Sequence, residues 1–243
     1  MKEFNIIAKG DVSLVLKKTN LVLPTNTKKK IDEIWKHLKN NNVSLHDGKS
    51  AIVKNIKKKS QDTIVDIVFL DYSTIIVDRE NPDLNIGVSQ IGVSGMIILN
   101  KDKKIVFAHR GKSTTEHSGQ LELVPSGNLD NSIIIKNDTV DYVSKLVQEF
   151  EEETGIPISY IQKLVTLGLV RDNVNKIYDV CCLLELNMNE KDFQLEFVES
   201  TEYSEPIIIR IDELESYLEK NYNRIVPTSK ALIECYLDNT KSS

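Results

Sequence analysis

Residues 148–156 read Gln148-Glu149-Phe150-Glu151-Glu152-Glu153-Thr154-Gly155-Ile156, and they close a helical pattern from which the rest of the chain is organised. Val143, Leu146, Val147 and Phe150 fall at i, i+3, i+4 and i+7, the spacing of one buried helix face. This predicts a helix over residues 138–154, with Asp138 as N-cap, Gly155 just past the last turn and Pro157 as the stop. On that helix Glu149, Glu152 and Glu153 share a ridge at i, i+3 and i+4, while Glu151 is turned away. Like charges at this spacing repel by about 0.2–0.5 kcal/mol per pair. They also crowd the helix C-terminus, where the macrodipole disfavours negative charge. An acidic run is ordinarily a solvated face; one that carries both penalties invites a compensating cation. Carboxylates without imidazole or thiolate suit a hard divalent ion, Mg2+ or Mn2+.

The segments on either side of this helix alternate as strands. Residues 93–99 and 104–108 read as a hairpin, 121–124 as a strand before the turn Pro125-Ser126-Gly127, and 164–170, 177–186 and 206–211 as further strands. Closing helices are expected over 212–220 and 229–237. Toward the N-terminus, period-2 apolar positions predict strands at 12–16, 50–56 and 63–70, with a short apolar run at 21–23 as another. Between them Ile31, Ile34, Trp35 and Leu38 mark an amphipathic helix closed by asparagines 40–42. Residues 78–85, with Pro82, read as a linker, giving an α+β unit over 1–85 and a larger unit over 86–243.

The bulk composition narrows the function classes. At 243 residues and 40% hydrophobic the chain buries an ordinary core. A net charge of -5 gives no electrostatic reason to bind nucleic acid, and the lysines at 28–30 and 57–59 read as solvated runs. Cys181, Cys182 and Cys235 fit neither a disulfide framework nor a zinc spacing, which implies a reducing, cytoplasmic setting. No apolar stretch is long enough for a membrane span or a signal peptide.

Residues 148–156 closely resemble the second half of the Nudix box, Arg-Glu-apolar-x-Glu-Glu-x-Gly-apolar, and Val124-Pro125 before Gly127 resembles its glycine loop. The resemblance implies an α/β (α+β) fold, a mixed-sheet α/β/α sandwich over 86–243 that hydrolyses a diphosphate bond in a nucleotide. It assigns Glu149, Glu152 and Glu153 as Mg2+ (or Mn2+) ligands, with the Gly127 carbonyl joining them, and Glu149 or Glu152 as base. A further carboxylate from a late loop is expected, for which Glu199 fits better than Glu202. Arg110 and Arg171 lie where the family holds phosphate, and a guanidinium fork suits that task. His109 and His117 read as surface residues.

Two departures make this a variant box. Val140 and Gln148 stand where the pattern has a glutamate and an arginine, and Gly127 precedes Gln148 by 21 residues, about seven more than the family spacing. The helix at 31–38, Asp47-Gly48-Lys49, Gly92-Val93 and the run Glu122-Leu123-Val124-Pro125-Ser126-Gly127 together resemble the branch of UDP-sugar diphosphatases. That resemblance implies cleavage of UDP-glucose or UDP-galactose to UMP and sugar 1-phosphate, with a small-molecule nucleotide as substrate and neither nucleic acid nor membrane as partner. A non-catalytic Nudix-fold module that binds or senses a nucleotide is the alternative, and a purely structural acidic helix a third.

Overall fold

A computed structural model describes residues 2–19, 21–41, 45–59, 62–112, 116–133 and 135–241. The chain begins with β1 (Phe4–Lys9), β2 (Val12–Leu16), α1 (Thr25–Asn41), β3 (Lys49–Lys59), β4 (Asp62–Asp71) and α2 (Tyr72–Glu80). It continues with β5 (Gln90–Leu99), β6 (Lys104–Arg110), β7 (Leu121–Leu123), β8 (Ser126–Asn128), β9 (Ile135–Lys136), β10 (Thr139–Val140) and α3 (Tyr142–Thr154). After these come β11 (Ile161–Asp172), β12 (Ile177–Leu186), α4 (Glu190–Glu196), β13 (Tyr203–Arg210), α5 (Leu214–Asn221) and α6 (Pro227–Lys241).

All ten residues of β5 are buried, and β12 runs parallel to it in unbroken register from Ile177↔Gln90 to Leu186↔Leu99. A parallel pair needs cover on both faces, and the sequence of β12 supplies it by alternation. Val180, Cys182 and Leu184 join a core with Tyr142, Leu146 and Phe150 of α3. Cys181 and Leu183 join a second core with Leu232, Ile233 and Cys235 of α6. The layering is therefore helix, mixed sheet, helix, and the three cysteines are buried and free.

The sheet order is β1-β11-β12-β5-β3-β4-β2-β10-β9, with β6 joining β5, β7 and β13, and β8 joining β5. Strands from both sides of residue 85 thus share one sheet. Residues 78–85 are not a loose tether: α2 runs through Glu80, and buried Asp78 accepts the backbone N–H groups of Ile86, Gly87 and Val88 at 3.0–3.1 Å. On this side α1 docks through buried Ile31 and an edge-to-face contact of Trp35 with Tyr72 of α2, 6.4 Å between centroids. Asn42, expected to help close α1, lies outside the described residues.

Two local expectations are corrected. Residues 21–23 form no strand; Val22 is 85% exposed, so no burial rewards pairing there. Asp138 is not the cap of α3: it sits at φ 62 in the turn before β10, which pairs with β2 through Thr139↔Val15. That pairing claims residues 139–140 for the sheet and delays the helix. Asp141 caps it instead, accepting the Ser144 N–H at 3.0 Å. Among the described residues no helix is long and apolar enough to cross a membrane.

Candidate active site

The roll of α3 about its axis decides which glutamates can work together. Tyr142, Leu146 and Phe150 form its buried stripe, Val143 and Val147 are only half-buried, and Gly155 ends the helix in the left-handed region at φ 71. Glu153 extends the buried stripe and is 4% exposed. Glu149, one turn earlier, is half-buried, while Glu152 faces solvent and accepts from Gln148 Nε2 at 2.8 Å. The expected three-membered ridge resolves into a pair, Glu149 and Glu153, with Glu152 outside it. Val140, at the position of the missing box glutamate, is core.

Glu153 Oε2 accepts the Ser126 N–H at 3.0 Å, and its Oε1 is buried without a hydrogen-bond partner. Burial first, and then the charge of Glu149, push its pKa well above the usual carboxylate range, with Glu122 and Glu202 adding to the push. Burial likewise raises Glu149, against the pull of Lys145, whose ammonium lies 2.7 Å from Oε1. Gly127 lies directly against Glu149. A Cβ there would stand 2.5 Å from Glu149 Cγ and 2.6 Å from Oε1, so only a residue without a side chain lets Glu149 lie against β8.

Glu149 and Gly127 open onto a cleft of about 220 Å3. Arg110, expected to hold phosphate, lines it, but its fork is engaged by Glu122 and by the Glu116 carbonyl at 3.0 Å. Tyr203 donates to Glu122 and lies 2.8 Å from Ser126 Oγ, so a chain of hydrogen bonds runs from Arg110 to the strand that holds Glu153. Glu202 lines the cleft and Glu199 does not; Glu199 is exposed and accepts the Glu205 N–H at 3.0 Å. The loop bearing Glu202 is brought in at Gly111, whose missing Cβ would otherwise meet the Thr201 carbonyl at 2.2 Å.

Arg171 is away from the cleft. Neighbours on a strand point to opposite faces; Asp172 lines the cleft and Arg171 packs on Tyr178, 5.3 Å from the ring. Asp172 and buried Asp179 form the far wall. Asp179 accepts from Ser94 Oγ and Thr228 Oγ1, both at 3.2 Å, and burial, with Glu122 nearby, raises its pKa to about 7. His117, expected at the surface, is held at 3.1 Å from Asp172 Oδ2.

Seven carboxylates line the cleft, against Arg110, Lys145 and His117, and no aromatic side chain does so among the described residues. The two permanent cations are already paired, so the cleft is electronegative as it stands. Sequence reasoning missed Glu122, Asp172, Asp179 and His117. For Glu122 and Asp179 a signal existed, a lone carboxylate within an apolar strand. A larger cavity of about 1150 Å3, between Ile98, Leu167, Leu183 and Tyr236, shares no lining residue with this cleft.

No family model matches the sequence and no curated protein matches it. Solved structures do match. The putative Nudix hydrolase Tm1382 aligns with a TM-score of 0.51 at 13% identity, over 78% of this chain and 98% of its own. The NUDIX domain of Shewanella oneidensis NrtR, solved with ADP ribose, aligns at 0.45 and 13% over 70% and 99%. A bifunctional NMN adenylyltransferase/ADP ribose pyrophosphatase from Francisella tularensis aligns at 0.47 and 12% over 68% of this chain and 46% of its own. A mixed sheet between helices, with the glutamate helix against a glycine strand, has the architecture of the Nudix fold.

Proposed function

We propose that this protein hydrolyses a diphosphate bond in a nucleoside diphosphate derivative, with a nucleotide sugar such as UDP-glucose, split to UMP and sugar 1-phosphate, as the substrate class. The observation that carries the reading is the buried carboxylate of Glu153, one oxygen on Ser126 and the other without a partner, beside Glu149 lying against Gly127. A buried carboxylate in this condition is costly until a cation or a proton completes it.

The all-oxygen donor set fits Mg2+ or Mn2+. Magnesium keeps waters and substrate phosphates in its shell, so one or two protein carboxylates suffice. Glu149 and Glu153 would hold it, and when bound it supplies counter-charge to the phosphates and an acidified water. Glu202, close enough to both to raise their pKa values, takes the proton as water attacks phosphorus. Arg110 shapes the wall through Glu122 and Tyr203 rather than offering a free fork. A wall of hydroxyls, amides and carboxylates, without Phe, Tyr or Trp among the described residues, supports a polyhydroxylated group as the bound moiety. Three buried, free cysteines are in keeping with a reducing cytoplasmic setting.

A second reading, a Nudix-fold module that binds a nucleotide without cleaving it, is favoured by the Lys145–Glu149 ion pair, which already engages one of the two carboxylates. Release of UMP or phosphate from nucleotide sugars, dinucleotides and triphosphates with magnesium, compared with Glu153→Gln, separates the two. Turnover by the wild type and its loss in the variant support hydrolysis. An inert wild type that still binds a nucleotide establishes the second reading.

A further inference from the structure

His117 carries chemistry that its place in the sequence conceals. It sits at φ 52 in the turn before β7, its side chain is 17% exposed, and its ring lines the cleft. Nε2 is 3.1 Å from Asp172 Oδ2 and 2.7 Å from Asn175 Nδ2. Among the described residues no hydrogen bond engages Nδ1. Asp172 is itself fixed by the backbone N–H groups of Val174 and Asn175, at 2.7 and 3.2 Å, and is 2% exposed. Nε2 donates to the fixed buried carboxylate when it carries a proton and accepts from Asn175 Nδ2 when it does not, so both states of the ring are held; with Nδ1 unengaged among the described residues, the ring is equipped to pass a proton.

The geometry points to His117 as the general acid of this cleft, giving a proton from Nδ1 to the bridging oxygen of the scissile diphosphate, with Asp172 as its positioning residue. This rests on the hydrolytic reading above. Water attacks one phosphorus and loses its proton to Glu202. The P–O bond to the bridging oxygen breaks, its electron pair stays on that oxygen, and the His117 proton neutralises it; His117 then regains a proton from solvent. Burial alone would raise Asp172, but the hydrogen bonds from His117, Val174 and Asn175 outweigh it and hold the carboxyl below its ordinary value, so it stays anionic beneath the ring. The other charged groups of the cleft are the Arg79–Glu116, Arg110–Glu122 and Lys145–Glu149 pairs and the carboxyl groups of Asp130, Asp179 and Glu202, so the ring faces a net negative wall in which Asp172 is the carboxylate in direct contact. Loop anchoring is the competing role, since the same contacts tie residues 116–120 to the β11–β12 turn.

The test is the pH profile of kcat for UDP-glucose with magnesium, in wild type, His117→Gln and Asp172→Asn, run beside the 2,4-dinitrophenyl ester of UMP, whose leaving group is a much weaker base than a sugar phosphate and departs without a proton. His117→Gln is expected to lower kcat on UDP-glucose by about 100-fold, with KM little changed, to abolish the alkaline fall in kcat, and to leave the dinitrophenyl ester nearly as reactive as before. Asp172→Asn removes the carboxylate that orients the ring, so kcat on UDP-glucose falls while the activated ester is spared. Thermal melts of both variants report folding, and rescue by the activated ester cannot come from an unfolded chain. If the wild type turns over and His117→Gln keeps its rate and its alkaline limb, or loses both substrates equally, the acid role is wrong while hydrolysis stands. A wild type inert on every nucleotide sinks both.

Discussion

Gly127→Ala isolates the contact on which the site depends. Its backbone is pinned by the pairing of β8 with β5, at Val93↔Gly127, so the strand cannot retreat from an added methyl group. The methyl would lie 2.5 Å from Glu149 Cγ and 2.7 Å from Cδ, well inside van der Waals contact. Glu149 must therefore leave its rotamer, at about 0.5–1.5 kcal/mol, and part from Lys145, worth about 0.2–1 kcal/mol. The sum, roughly 0.7–2.5 kcal/mol, lowers Tm by about 1–10 °C for a chain of this size. Activity falls further than stability, by about 100-fold, because a displaced carboxylate no longer meets the reacting groups. The decisive assay is a double-mutant cycle read by thermal melting. In a Glu149→Ala background nothing remains for the new methyl to strike, and Gly127→Ala should become nearly neutral. Equal destabilisation in both backgrounds would show that the strain lies in the backbone and not against Glu149.

Glu153→Gln should raise the Tm of the metal-free protein, since it removes a buried charge whose pKa is pushed up by burial and by Glu149. It should also erase the rise in Tm that magnesium gives the wild type, and a Tm increase with magnesium in both forms would refute its place at the cation. Asp179 gives a pH dependence of definite sign. Its pKa rises from 3.8 to about 7 on folding, so between those values the native state keeps a proton the unfolded chain has lost, and stability falls by up to about 1.4 kcal/mol per unit as pH rises. Asp179→Asn should flatten that slope in urea unfolding between pH 4 and 7; an unchanged slope refutes it. Of the late-loop carboxylates, Glu202→Gln should cut kcat by at least 100-fold and Glu199→Gln should leave it unaltered, because only Glu202 reaches the cleft.

What the sequence made legible was mostly local. The stripe of α3, its stop at Gly155 and the limits of β12 follow from periodicity and from residues with special backbone preferences. The roll of α3 did not follow, because spacing defines which glutamates are neighbours but not which of them faces the protein. Tyr142 settles that by burying deeper than Val143 and Val147. Asp138 was misread for a long-range reason, since β2, some 125 residues earlier, takes Thr139 into the sheet. Arg171 and Asp172 differ by one strand position, and only tertiary packing tells which of them turns to the cleft. Glu199 and Glu202 stand three apart in a loop without periodicity, where the approach of Gly111 to Thr201 makes the choice.

The pairing of β1 with β11 bears on how this protein can be handled. Phe4 to Lys9 cover the outer edge of β11, and Lys230 to Glu3 and Lys9 to Asp238 tether β1 to α6. A chain begun at residue 86 would bare that edge over Gly168–Asp172 and uncover the apolar pocket that Phe4 fills. Unpaired strand edges beside exposed apolar surface recruit further strands from other molecules. Such a fragment would aggregate, and a usable shortened form has to retain β1, spliced to the remainder by a linker.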